Sequence, residues 1–159
     1  MIEVVSYLRT PDGQFVQVDD AVEAPVDPQY IEGAIEMSID GIPILDKVMW
    51  DYVDQLWAYI ADMVLALTQR GESSTYFPDQ PIKLAFQKQG KSRVLVTLRI
   101  NDETRTASID SAELIKALRE HGSAFFHKLS QLLPGNSVGY ADALRRLTEP
   151  GSTDVISGL

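Results

Sequence analysis

Residues 33–40 read G-A-I-E-M-S-I-D, and apolar and polar positions alternate cleanly. Ile35, Met37 and Ile39 fall on one side and Glu36, Ser38 and Asp40 on the other, the pattern of a half-buried strand. The same period recurs over 82–88, with Ile82, Leu84 and Phe86, and over 93–100, with Val94, Val96, Leu98 and Ile100. Q-G-K-S (89–92) turns the chain between them. Asn101-Asp102 turns it again into T-R-T-A-S-I (104–109), so these runs predict a β-meander. Upstream, I-E-V-V-S-Y-L-R (2–9), the turn residues Pro11-Asp12-Gly13 and F-V-Q-V (15–18) predict a hairpin. Asp40-Gly41 predicts a tight turn into I-P-I-L (42–45).

A different period governs residues 46–70. Met49, Trp50, Val53, Leu56, Trp57, Ile60, Met63, Val64 and Leu67 lie three and four apart, which predicts a long central helix. Asp46 is expected to cap it and Gly71 to end it. Asp110-Ser-Ala-Glu113 has capping-box spacing ahead of Leu114, Ile115 and Leu118. Gly122 is expected to break or kink this second helix, and Phe125, Phe126, Leu129, Leu132 and Leu133 continue its stripe. Pro134-Gly135 stop it. Asn136 or Ser137 starts a last short helix with Tyr140, Leu144 and Leu147 inward. Residues 19–30, D-D-A-V-E-A-P-V-D-P-Q-Y, form an acidic, proline-bearing loop or arm. The expected architecture is one α+β domain over 1–150, followed by a turn-rich tail over 151–159. A mainly antiparallel sheet of about five or six strands packs against the long helix and the C-terminal helices.

The chain has 159 residues, 45% of them apolar, enough for one substantial core. It contains no cysteine, which removes disulfides, thiolate metal sites and cysteine nucleophiles and suits a reducing compartment. The start, M-I-E-V-V-S-Y-L-R, lacks a basic residue followed by an apolar run, and no stretch approaches the ~18 apolar residues of a membrane span. A cytoplasmic protein is expected. Charge changes the picture further because it is uneven. Residues 1–80 hold 15 acidic and 3 basic side chains, a charge of −12; the remainder holds 8 and 11, a charge of +3, giving −9 in all. Such a chain repels phosphate backbones, so nucleic-acid binding is disfavoured. A basic protein partner suits it better.

Motifs that resemble chemistry do not pass inspection. G-N-S-V-G (135–139) matches the string of a nucleophile elbow, but it follows a helix rather than a strand, and no histidine lies after Ser137. Q-G-K-S lacks the glycine five positions before Gly90 that a phosphate loop needs, and a strand follows it instead of a helix. His121 and His127 are six apart, the wrong spacing to share a helix face as metal ligands. His121 is expected at the end of a helical stretch, just before Gly122. No catalytic residue, metal ligand or cofactor site is assigned.

Two features point to binding. On the expected solvent face of the long helix, Asp51, Asp54, Gln55, Ala58 and Asp62 recur at helical steps, flanked by Tyr52 and Tyr59. Carboxylate beside tyrosine suits a surface that binds arginine- or lysine-rich patches. The second is Tyr76-Phe77-Pro78-Asp79-Gln80-Pro81. Each proline restricts the residue before it to extended conformations, making a stiff elbow with one aromatic expected in the core. The candidate protein-binding residues are therefore Asp51, Asp54, Tyr59, Asp62, Tyr76, Phe77 and Asp79.

I-E-G-A-I-E-M-S-I-D-G, the tryptophan-bearing acidic helix and Y-F-P-D-Q-P, taken with size and charge, give a chain that resembles bacterial immunity proteins of polymorphic-toxin and contact-dependent inhibition systems. The resemblance is one of class and transfers no site residues. It implies a small cytosolic protein, not an enzyme, that neutralises a basic toxin domain by binding it. Two other readings stand beside it. One is an enzyme or small-ligand binder with a pocket between helix and sheet, using the histidines and the Glu36/Asp40 strand face. The other is a structural or oligomer-forming accessory protein that uses an exposed edge of the meander.

Overall fold

A computed structural model describes residues 1–149; the expected tail at 151–159 lies outside the described residues. The fold is α+β, and its strands divide between two antiparallel sheets. The first contains β1 (Ile2–Arg9), β2 (Phe15–Gln17), β3 (Glu32–Ile39), β4 (Ile42–Leu45) and β5 (Asp51–Tyr52). Its order is β2-β1-β3-β4, with β5 pairing the opposite end of β3 from β4. Next come the helix α1 (Val53–Arg70) and the second sheet, ordered β6-β7-β8-β9, formed by β6 (Glu72–Tyr76), β7 (Ile82–Gln89), β8 (Arg93–Ile100) and β9 (Glu103–Asp110). Two further helices follow among the described residues, α2 (Ser111–Leu132) and α3 (Ser137–Thr148).

Alternation sets the register. Val4 pairs with Met37, and Phe86 with Val96, which in turn pairs with Ala107. A slip of one residue would turn each buried row outward. The Asp40-Gly41 turn places both residues at positive φ, 50° and 80°, as a tight hairpin between twisted strands requires. Inner faces of both sheets and all three helices enclose one continuous core. Trp57 lies at its centre, fully buried, with its indole nitrogen donating to Ser6 Oγ at 2.9 Å and its ring 6.1 Å from that of Phe125. Strand β4 runs beside β8 and β9, where Arg105 pairs with Asp46 at 2.9 Å.

Three local expectations are corrected. The long helix starts at Val53 and not after Asp46. Asp46 instead accepts from Val48 N and caps a single 3-10 turn over Lys47–Met49. Asp51 and Tyr52 then pair with Gly33 and Glu32 as a strand, and Val53 N donates to Ile31 O, which fixes the helix start. Gly122 neither breaks nor kinks α2, which runs unbroken through it. A Cβ there would stand 2.5 Å from Leu147 Cδ2 and 3.0 Å from Trp57 Cζ3, so the glycine lets three helices close on one another. His121 accordingly sits in mid-helix and not at a terminus. Residues 72–76, which carry no apolar alternation, form the strand β6, while Gly71 ends α1 at φ 80° as expected.

Candidate functional site

The acidic ribbon foreseen on the long helix is only in part a free surface. Asp51 lies before α1, only 3% exposed, and its carboxylate accepts three backbone N–H groups. Tyr52 N donates at 2.7 Å, Asp79 N at 3.1 Å to each oxygen, and Gln80 N at 2.9 Å. The residue is a clasp for the Y-F-P-D-Q-P elbow, and no partner can reach it. Gln80 reinforces the clasp by donating its side-chain amide to Trp50 O.

Helix α3 engages two more of its acids, although Gln55 and Asp62 remain exposed. Tyr140 OH donates to Asp54 Oδ2 at 2.9 Å, and Arg146 pairs with Asp62. Burial pushes the Asp54 carboxyl above the ordinary aspartate range, an effect partly offset by that hydrogen bond. Burial also pushes the Tyr140 hydroxyl upward. These two acids therefore bind the chain's own third helix. Phe77 is buried in the core and corrects its assignment as a partner anchor, whereas Tyr76 is 62% exposed and Asp79 is exposed. Tyr59 stands at the margin of exposure.

The polar groups of the pocket reading are not brought together. Glu36 lies on the outer face of the first sheet and accepts from Tyr7 OH at 2.6 Å. Asp40 pairs with the N-terminal amine. Both histidines are exposed on α2, and the space between α1 and the sheets is filled by side chains such as Trp57, Ile60 and Val64. Among the described residues no three His, Asp or Glu side chains stand close enough to share a metal ion. Nor is any helix among them long and apolar enough to cross a membrane. A cleft of about 570 Å³ beside the start of α2 gathers Lys88, Lys91, Lys116 and Arg119, but Asp110 and Glu120 line it too. Arg119 there donates to the carbonyls of Leu147 and Glu149.

The arm over residues 19–30 carries a site the sequence reading did not assign. It is anchored in the core at Val18 and Ala21 on one side and at Ile31 on the other. Asn136 Nδ2 donates to Pro28 O at 2.8 Å, and the Tyr30 and Tyr52 rings lie 5.5 Å apart. Pro25 and Pro28 stiffen the stretch between these anchors. Large apolar side chains remain outward among the arm's acids: Val22 is 88% exposed, Val26 85% and Tyr30 55%. Between arm and hairpin runs a groove of about 620 Å³, floored by Leu8, Pro11 and Val16. Asp20, Glu23, Asp27 and Glu32 ring it. The nearby cation, Arg9, is engaged by Glu32 at 3.0 Å and stacks 4.2 Å over Trp50. Among the described residues no ion pair reaches Asp20, Glu23 or Asp27. Clustered exposed apolar side chains rimmed by charge mark a contact surface. The available signal in the sequence was two valines and a tyrosine set among prolines and acids, with no strand or helix period to bury them.

Comparison with protein-family models, with curated proteins and with solved structures finds no match.

Proposed function

We propose that this chain is a cytoplasmic protein-binding module that captures a basic, partly apolar segment of another protein in the arm groove. The observation behind this reading is the meeting of exposed Val22, Val26 and Tyr30 with Asp20, Glu23 and Asp27, which have no ion pair among the described residues, around one groove. The carboxylates draw a cationic partner in and set its approach. The valines and Tyr30 hold it by burial, each contributing on the order of 1.5–3 kcal/mol when fully covered. Anchors at both ends of the arm limit the ordering cost of binding. The biological form we favour is the immunity protein that the class resemblance implies, with a basic toxin domain as the partner. The exposed Tyr76 and Asp79 offer a secondary contact, whereas Asp51, Asp54 and Phe77 hold the fold and Asp62 is engaged by Arg146.

Calorimetric titration with an alternating lysine–valine octapeptide tests the chemistry. Saturable binding is expected. Glu23→Lys with Asp27→Lys should weaken it at least about tenfold at low salt, with the difference shrinking as the Debye length falls to ~3 Å near 1 M. Val22→Ser with Val26→Ser should weaken it at every salt concentration. Equal affinity in all three proteins would reject the groove.

A further inference from the structure

Every sheet edge is a row of backbone donors and acceptors that can template another strand, and folded proteins blunt such edges. Among the described residues, four of the five edge strands are blunted. Strand β2 has three residues and β5 two. Strand β4 contains Pro43, and its register against β3 is broken between Met37 and Ser38. Strand β9 is flanked by β4 and pinned by the Arg105–Asp46 pair. The exception is β6. It has five residues, an unbroken register with β7, and no lysine, arginine or proline.

The ladder fixes which groups of β6 face out. Phe77 N donates to Ile82 O, and Lys88 N to Gly71 O. The hydrogen-bonded pairs with β7 therefore fall at 71, 73, 75 and 77, so the N–H and C=O of Glu72, Ser74 and Tyr76 point away from it. Among the described residues β6 pairs with β7 alone. The side chains of those three residues are exposed, while Ser73 Oγ is tied to Met63 O of α1 at 2.9 Å.

We infer that β6 is a self-association edge, where a second copy of this chain adds β6 antiparallel about a two-fold axis at Ser74. That register pairs Glu72 with Tyr76, Ser74 with Ser74 and Tyr76 with Glu72, so each outward donor meets an outward acceptor. A shift of two residues in one direction puts Pro78, which has no N–H, into the ladder. A shift in the other puts the helical Arg70 there. The side chains match as well. Tyr76 pairs with Lys83 across β7, and the Lys83 ammonium lies 5.7 Å from the ring centroid. The second copy's Glu72 would flank the same ring on its free side, giving a row of carboxylate, aromatic ring and ammonium that the two-fold repeats. No like charges oppose one another. The inference is independent of the arm groove, which belongs to the other sheet.

Sedimentation over a wide concentration range tests it, together with amide hydrogen exchange of the full chain. The average mass should rise toward twice that of the monomer with concentration, and the Ser74 and Tyr76 amides should gain protection as it does. Ser74→Pro removes only an outward N–H and should abolish association. Glu72→Lys, which sets a second ammonium across the Tyr76 ring from Lys83, should weaken it at least about tenfold, and Glu72→Lys with Lys83→Glu should restore it. A wild-type protein that stays monomeric at millimolar concentration overturns the proposal. So does association that Glu72→Lys leaves unchanged, or that proceeds without protection of these two amides.

Discussion

Replacing Gly122 by alanine probes the packing that brings α3 against the acidic face of α1. In an exposed helix interior the change would stabilise by up to about 1 kcal/mol, because alanine has the better helix propensity. Here the new Cβ would stand 2.5 Å from Leu147 Cδ2 and 3.0 Å from Trp57 Cζ3, both in side chains that are fully buried. Trp57 is held further by its bond to Ser6, and Leu147 is packed within the core. Overpacking of this kind costs ~1–3 kcal/mol. Set against the propensity gain, the net expectation is a loss of about 1 kcal/mol, or ~2–4 °C in melting temperature for a chain of this size. Gly139, on α3, is the control: an added Cβ meets nothing within 4 Å, so Gly139→Ala should gain up to about 1 kcal/mol. Urea unfolding with linear extrapolation measures both. If Gly122→Ala stabilises as much as Gly139→Ala, α2 does not close on Trp57 and Leu147, and the account of how α3 occupies the ribbon fails.

Other expectations follow from single contacts. Asp51→Ala strands the buried amides of Asp79 and Gln80 and should cost about 3 kcal/mol in denaturant unfolding; a loss under 1 kcal/mol would remove the clasp. The Asp54 carboxyl, raised chiefly by burial, holds its proton more tightly in the folded chain than in the unfolded one. Its contribution is therefore full at acid pH and lost as pH climbs from the ordinary aspartate value through the raised one, so Asp54→Asn should gain stability relative to wild type across that window. Unfolding free energies measured for both proteins as a function of pH check the slope. Tyr7 is raised to about 12, first by its hydrogen bond to Glu36 and then by burial. Its protonated form favours folding up to the ordinary tyrosine range, and that stability is lost as pH rises toward 12. Tyr7→Phe should flatten the alkaline decline and delete one late-titrating phenolate from the ultraviolet absorbance.

Much of the scaffold was legible because burial imposes its period locally. The runs at 33–40, 82–88 and 93–100 alternate because each strand has one face in the core, and Asp110 caps the Glu113 amide as its spacing implied. Strand β6 was illegible because E-S-S-T-Y holds no buried apolar residue; pairing with β7 makes it a strand. Residues 46–52 carry helical spacing, yet Asp51 and Tyr52 are extended, since pairing with β3 overrides local preference. The acidic ribbon shows the limit for the site. Spacing of three and four says which side chains share a helix face, and says nothing of what covers that face. Tyr140 and Arg146 lie more than eighty residues along the chain from Asp54 and Asp62. The break expected at Gly122 fails for the same reason, since its partners Trp57 and Leu147 are distant in sequence. The arm had acidity that was visible and a groove that was not, because its floor comes from the hairpin at residues 8–16.

The central claim is that the arm groove receives a basic, apolar segment. Amide chemical-shift mapping of the isotope-labelled chain, titrated with the lysine–valine octapeptide, tests it most directly. The account predicts saturable shifts confined to residues 8–11, 16 and 20–32, absent in the Glu23→Lys, Asp27→Lys protein. Shifts centred on the exposed residues of α1, or spread over the whole acidic surface without saturation, would contradict it.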